Sequence, residues 1–295
     1  MRRLGAALFV ALAWAFVAYA QPAPAPQGPA LWRIHDADSE IWLFGSVHVL
    51  PAGLAWRSAR IDAAFRSADE IVMETDATSA SGQQTFAQLT ARLGMLPAGK
   101  TLNDLLTPRE RQRLARAAAG AHIDSASLQP LRPWLAALRL SLLDAMAHGQ
   151  DPSSGVEPIF ARDAEASHKR ISYFETPEQQ LHVLADLSPA DEMRFFTSTL
   201  DDIEHDSGAM DNADRAWVRG DTRALARLLD PEMHEAGPGV YAALITRRNA
   251  HWVDEIQHRL AGSGRIFIVV GSAHLVGPNS VVALLRARGV HIEGP

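Results

Sequence analysis

Two runs of largely apolar residues, Leu31-Trp32-Arg33-Ile34 and Glu40-Ile41-Trp42-Leu43-Phe44, flank a polar turn at 35–39, a pattern that predicts a β-hairpin. The spacing then changes. Ile61, Ala64, Phe65 and Ala68 fall on one face of a helix over 58–68, and Glu70-Ile71-Val72-Met73-Glu74 reads as a short apolar strand. Strand, helix and strand in that order favour parallel pairing through a crossover helix. A polar, glycine-containing stretch at 76–85 is expected to be a loop. From 86 to 148 the pattern is helical, with Thr107-Pro108 as a cap followed by proline at the first helical position and Gly120 as a stop. Pro133-Trp134 opens a long helix whose Leu135, Leu138, Leu142 and Leu143 are read as core.

Beyond a break at 151–155, a second stretch repeats the alternation, with a helix over 157–166 and a strand at Ile171-Ser172-Tyr173-Phe174-Glu175. Thr176-Pro177-Glu178-Gln179 is a capping box, in which the hydroxyl and the amide side chain satisfy free backbone groups at a helix start. Helices are expected over 179–187, 191–203, 221–229 and 241–260. Arg265-Ile266-Phe267-Ile268-Val269-Val270 is apolar on both faces, as a buried central strand requires. Asn279 is expected to cap a last helix over 280–288, ended by Gly289. Together these elements predict an α/β protein, a helix-rich single domain over 31–295 around a central mixed or parallel sheet. Its two similar halves would each carry a strand followed by a Gly-Ser-x-His turn.

The first 30 residues read differently. Arg2 and Arg3 precede an apolar stretch from Leu4 to Val17 and small residues at Ala18 and Ala20, the pattern of a secretory signal peptide over 1–20 cut before Gln21. Residues 21–30 alternate Pro and Ala without charge and are expected to form an extended tether. The mature chain is therefore expected to be exported, periplasmic or secreted, and without a stable membrane span; an uncleaved N-terminal anchor is the alternative. With no cysteine anywhere, disulfides, thiolate metal sites and thiol nucleophiles are excluded. The net charge of −6, with no basic block, argues against nucleic acid as a partner.

One echo stands out. Leu43-Phe44-Gly45-Ser46-Val47-His48 near the start matches Val269-Val270-Gly271-Ser272-Ala273-His274 near the end. Glycine lets the backbone turn sharply off a strand end, and the carboxyl ends of strands are where open α/β sheets keep their ligand crevices. Two imidazoles so placed can share one divalent metal, and hydrolytic sites add a carboxylate. Glu74 is the leading candidate because it ends a strand at the same edge; Glu175, also at a strand end, is the second.

At this point the chain resembles the TraB/PrgY/GumN family, which includes the Tiki-type metalloproteases. The resemblance is carried by Leu31-Trp32-Arg33-Ile34, Gly45-Ser46-Val47-His48-Val49-Leu50-Pro51, Met73-Glu74-Thr75 and Arg132-Pro133-Trp134. It continues through Phe174-Glu175-Thr176-Pro177-Glu178-Gln179-Gln180, Arg248-Asn249-Ala250-His251-Trp252 and Gly271-Ser272-Ala273-His274-Leu275-Val276-Gly277. It implies a metal-dependent hydrolase, a peptidase in particular, with His48, Glu74 and His274 as metal ligands. Where the family pattern has Gly-x-Asp, this chain reads Gly155-Val156-Glu157, one methylene longer. No cofactor other than the metal is implied.

On this reading Glu175 acts as general base or orients a ligand. Arg248 stabilises oxyanion charge or binds a substrate carboxylate, with Asn249 aiding by hydrogen bonding. Ser46 and Ser272 are expected to steady their own turns, since no Gly-x-Ser-x-Gly elbow is present. The donor types do not choose among manganese, cobalt and zinc. The competing readings are a binding protein that captures a peptide or small molecule without turnover, and an accessory of polysaccharide export. His251 is a lesser site candidate, and the remaining histidines have no partner motif. Asp201-Asp202-Ile203-Glu204-His205-Asp206 lacks the alternation and glycine of a calcium loop and is read as a solvated face or a mobile lid. Trp134, Trp217 and Trp252 are read as core rather than as a carbohydrate platform.

Overall fold

A computed structural model describes residues 28–205 and 208–295. The expected signal peptide and most of the expected tether lie outside the described residues. The last tether positions already touch the domain, since Arg60 Nη2 donates to the Pro29 carbonyl at 3.0 Å and Ala30 is buried.

The hairpin forms as predicted: β1 (Leu31–His35) pairs antiparallel with β2 (Ser39–Ser46). A short β3 (Leu50–Pro51) follows, then α1 (Ala59–Ser67) and β4 (Glu70–Met73). A helical stretch comes next: α2 (Ala80–Leu93), α3 (Leu102–Leu105), α4 (Pro108–Gly120) and α5 (Pro133–Ala147). After β5 (Gln150–Asp151), which pairs with β3, come α6 (Val156–Ala166), β6 (Arg170–Tyr173) and α7 (Pro177–Ala185). The chain continues through α8 (Pro189–His205), α9 (Ala209–Val218), α10 (Thr222–Glu235), α11 (Pro238–Tyr241) and α12 (Arg247–Leu260). It closes with β7 (Gly264–Gly271) and α13 (Val281–Ala287).

The main sheet has the order β1-β2-β7-β4-β6, parallel throughout except for the edge strand β1. This is the expected α/β class with a mixed sheet. The last strand enters its centre: β7 lies between β2 and β4, which is why both of its faces are apolar and buried. In register, Ser46 stands opposite Gly271 and Met73 opposite both Val269 and Tyr173. The carboxyl ends of β2, β7, β4 and β6 therefore share one edge, which sets the site. The two Gly-Ser-x-His turns follow neighbouring strands, β2 and β7.

The sheet core gathers Phe44, Trp56, Phe160, Trp217 and Phe267 in mutual ring contact. A second apolar cluster is helical, built from α3, α4, α5 and α8 around Leu114, Leu140, Phe196 and Leu200. A third joins α2, α5, α7 and α11 about the fully buried Trp134. Trp134, Trp217 and Trp252 are core, as read. Among the described residues no helix is long and apolar enough to cross a membrane.

Several local expectations are corrected. The stretch at 76–85 is not all loop, because Ser79 caps α2 by accepting from the Gly82 amide. Gly82 is there for close approach: a Cβ would lie 2.0 Å from the Asp76 carbonyl oxygen. The unpredicted helix α9 is polar on most of its surface and buries Asp214, Ala216 and Trp217. Ser280, not Asn279, caps the last helix, its hydroxyl accepting from the Ala283 amide. Leu138 and Leu142 are exposed rather than core, because α5 turns Trp134, Ala137 and Leu140 inward instead.

Candidate functional site

His48 lies in the loop that follows β2, and that loop is pinned by α6. Val156 N donates to the Val47 carbonyl at 3.1 Å, and a Cβ on Gly155 would sit 2.2 Å from the His48 carbonyl oxygen, so only glycine fits there. One residue on, the Glu157 carboxylate meets His48 Nδ1 at 2.8 Å and accepts from Ser46 Oγ. The charge of Glu157 raises the His48 pKa to about 9, which makes the ring an imidazolium near neutrality, although its side chain is 70% exposed. Burial opposes the Glu157 charge, but His48 and the hydrogen bonds from His48 and Ser46 hold the carboxyl below its usual range.

His274 follows β7 in a single tight turn and is buried. The two matching turns interlock: Ser272 Oγ donates to the Ser46 carbonyl at 2.8 Å, and a Cβ on Gly45 would lie 2.9 Å from Ser272 Oγ. Ser272 therefore steadies the opposite turn rather than its own, and Ser46 steadies Glu157. Trp217 Nε1 donates to the Gly45 carbonyl at 2.7 Å from the far side.

The tautomer of His274 follows from its partners. Asn249 Nδ2 donates to the Asn279 carbonyl at 2.8 Å, which turns Asn249 Oδ1 toward His274 Nδ1 at 2.6 Å. The proton therefore sits on Nδ1, and Nε2 accepts from Arg248 Nη1 at 3.1 Å. Burial lowers the His274 pKa to about 3, so the ring is neutral at physiological pH.

Glu74, one residue past β4, is buried and accepts from the Gly271 amide at 2.7 Å and from Arg248 Nη2 at 2.6 Å. Burial alone would raise its pKa, but Arg248, His274, His48 and the Gly271 amide together bring it to about 2. Glu175, past β6, receives Arg248 Nε at 2.8 Å, Arg248 Nη2 at 3.0 Å and Trp252 Nε1 at 3.1 Å.

Arg248 and Asn249 open α12 immediately after a wide π-type turn at Ala242–Thr246 that interrupts the expected continuous helix. Such turns often lie at functional sites. Arg248 is buried, lies 4.6 Å from the Trp252 ring centroid, and also donates to Gln180 Oε1 at 2.9 Å. Its N–H groups are all engaged within the protein in this state.

The structure thus brings His48, Glu74, Glu175, Arg248, Asn249 and His274 to one sheet edge. Around Gly271 the convergence is close: a Cβ there would lie 3.2 Å from Glu74 Oε1, 3.6 Å from His274 Cδ2 and 3.7 Å from His48 Nε2. His251 is exposed. Three contributors were not among the expected site residues: Glu157, Gln180 and Trp252. The last has a signal, since it lies one helical turn beyond Arg248.

Two imidazoles and a carboxylate suit a divalent cation in donor type. Glu74 Oε1 and His274 Nε2 stand 3.9 Å apart, too far to hydrogen-bond but within the span of two ligands each about 2.0–2.2 Å from one ion. His48 does not close the set. Among the described residues, the trio whose ligand atoms all lie within 4.8 Å of one another is Asp201, Glu204 and His205. That trio is exposed on α8, with Arg113 and Arg116 donating to its carboxylates.

A mixed α/β sheet carries both histidine turns and the strand-end glutamates at the carboxyl edge of its parallel strands. The chain belongs to the TraB/PrgY/gumN family, whose model matches residues 30–294. It is 24% identical to protein YbaP of Escherichia coli (strain K12) over 260 residues, covering 88% of this chain and 92% of that protein. It is 25% identical to an uncharacterized protein of Treponema pallidum (strain Nichols) over 285 residues, covering 87% of this chain and 80% of that protein. No solved structure matches.

Proposed function

We propose that the protein is an exported divalent-metal-dependent hydrolase, acting first of all on peptides, with His48, Glu74 and His274 as the metal-holding residues. The observation that carries this reading is the meeting of both Gly-Ser-x-His turns and Glu74 around Gly271. We read the matched turns as the two halves of one site. A bound divalent ion would supply a more acidic water and polarise a scissile carbonyl.

The chain's own residues do the positioning. Asn249 keeps Nε2 of His274 unprotonated, and Glu157 holds His48 Nδ1 so that Nε2, which would have to give up its proton to bind a cation, faces Gly271. The Gly271 amide and Arg248 orient Glu74. Of the two roles expected of Glu175, orientation is the one its contacts support, because both of its oxygens are engaged by Arg248. Oxyanion binding by Arg248 requires it to release partners it holds at rest.

That engagement favours a second reading, a protein that captures a peptide or small molecule without turnover. Digestion of a peptide library with and without chelator separates the two. Metal-dependent cleavage lost in His48→Ala and His274→Ala supports the hydrolase. Cleavage that survives both substitutions and the chelator contradicts it, and binding without cleavage leaves the capture reading.

A further inference from the structure

We propose that Arg248 is a resident cation that stands in for the divalent ion and competes with it, so that this arginine sets the metal affinity of the site. The inference rests on the metal-site reading above.

A guanidinium stays protonated under all physiological conditions. Here it is buried and lies against the ligand atoms themselves. Nη1 donates to His274 Nε2 at 3.1 Å, the one lone pair left on that ring once Asn249 has fixed the proton on Nδ1. Nη2 donates to Glu74 Oε2 at 2.6 Å. A nitrogen lone pair accepts an N–H or a metal, not both, so a cation on His274 displaces the Arg248 contact. Pairing with the buried carboxylates would require only the Arg248 contacts to Glu74 and Glu175. The contact to His274 Nε2 adds nothing to that charge balance and takes up the ligand position.

The arginine is also built to return. Glu175 grips it from behind with two hydrogen bonds, Gln180 Oε1 accepts from Nη2, and the ring of Trp252 supports its face. Glu74 and His274 stay 3.9 Å apart with Arg248 joining them, which preserves the spacing a shared cation needs. A site so held does not collapse when empty, and its affinity is the difference between what the ion gains and what Arg248 gives up.

The test is calorimetric titration of the mature protein with Mn²⁺ and with Zn²⁺, using wild type, Arg248→Ala, Arg248→Lys and His274→Ala. Arg248→Ala should bind roughly tenfold to a hundredfold tighter than wild type, the range set by loss of one or two charge-assisted hydrogen bonds. Arg248→Lys should fall between, since one ammonium cannot fork to both acceptors. Guanidinium chloride at low millimolar concentration should weaken binding by Arg248→Ala and leave wild type unchanged, a response no merely structural role produces. Equal or weaker binding by the folded variants overturns the proposal. If Arg248→Ala fails to fold by near-ultraviolet circular dichroism, the comparison of Arg248→Lys with wild type decides. Binding by wild type that is lost in His274→Ala, but unaltered by Arg248 substitution, defeats this inference alone. Absence of His274-dependent binding in every protein defeats the metal site as well.

Discussion

The carboxamide of Asn249 fixes the proton on His274: Oδ1 lies 2.6 Å from Nδ1, and the amide cannot flip because its nitrogen donates to the Asn279 carbonyl at 2.8 Å. A chain of three groups thus decides which lone pair faces the site. Asn249→Leu leaves a buried imidazole N–H without a partner and should cost about 1–3 kcal/mol of stability, read from urea denaturation. Metal affinity should fall about 10–100-fold, as for other groups that orient a ligand histidine. Unchanged affinity would remove Asn249 from that role.

Glu157 does for His48 what Asn249 does for His274, with a charge in addition. Proton NMR titration of the metal-free protein should place the His48 midpoint near 9, and Glu157→Gln should return it toward the ordinary 6.5. The sign follows. The native pKa is raised, so the stabilisation from this pair is complete below 6.5 and disappears as pH rises through about 9. The melting temperatures of wild type and Glu157→Gln should converge across that window. A His48 midpoint insensitive to Glu157 would contradict the pairing.

Glycines separate the site from the fold. The φ of −50° at Gly271 is open to any residue, so Gly271→Ala introduces no backbone strain, yet its methyl enters the space between Glu74, His274 and His48. It should abolish metal binding with little change in denaturation midpoint. Gly155→Ala instead meets the His48 carbonyl oxygen at 2.2 Å and should destabilise by roughly 1–3 kcal/mol, the usual cost of overpacking. If Gly271→Ala binds metal normally, the three side chains do not share that space.

Acid should weaken the fold in two overlapping windows. His274 is held down to about 3, so its contribution is full above 6.5 and is lost as pH falls toward 3. Glu74 is held at about 2, so its contribution is full above 4.5 and is lost as pH falls through 2. Between pH 6.5 and 4.5 His274 acts without Glu74. Melting temperatures there should fall more steeply for wild type than for His274→Gln, and parallel curves would contradict the buried neutral ring.

Local signals carried much of the architecture. The hairpin, the short strand before Glu74, the capping box at Thr176 and the apolar final strand all follow from patterns within a few residues. Four strand-end or turn residues, His48, Glu74, Glu175 and His274, were identifiable because glycine turns and strand termini mark the carboxyl edge of a parallel sheet. What escaped was long-range. Insertion of β7 between β2 and β4 joins segments about 200 residues apart in the chain, and no local period encodes it. Leu138 and Leu142 look like core because spacing alone does not say which face of α5 finds a neighbour. The partner of Glu157 is harder still to read, since the contact joins it to a ring 109 positions away in the chain. Arg248 is legible as a candidate residue, but its contact with His274 depends on which donor takes one lone pair.

A divalent cation held by His48, Glu74 and His274 would be located by anomalous diffraction from crystals grown with manganese or zinc and collected at the metal edge. The expected result is a peak within about 2.0–2.2 Å of His274 Nε2 and a Glu74 oxygen, with His48 Nε2 drawn onto the same ion and Arg248 withdrawn from His274. A peak confined to the exposed Asp201, Glu204 and His205, with the Arg248–His274 contact intact, would contradict it.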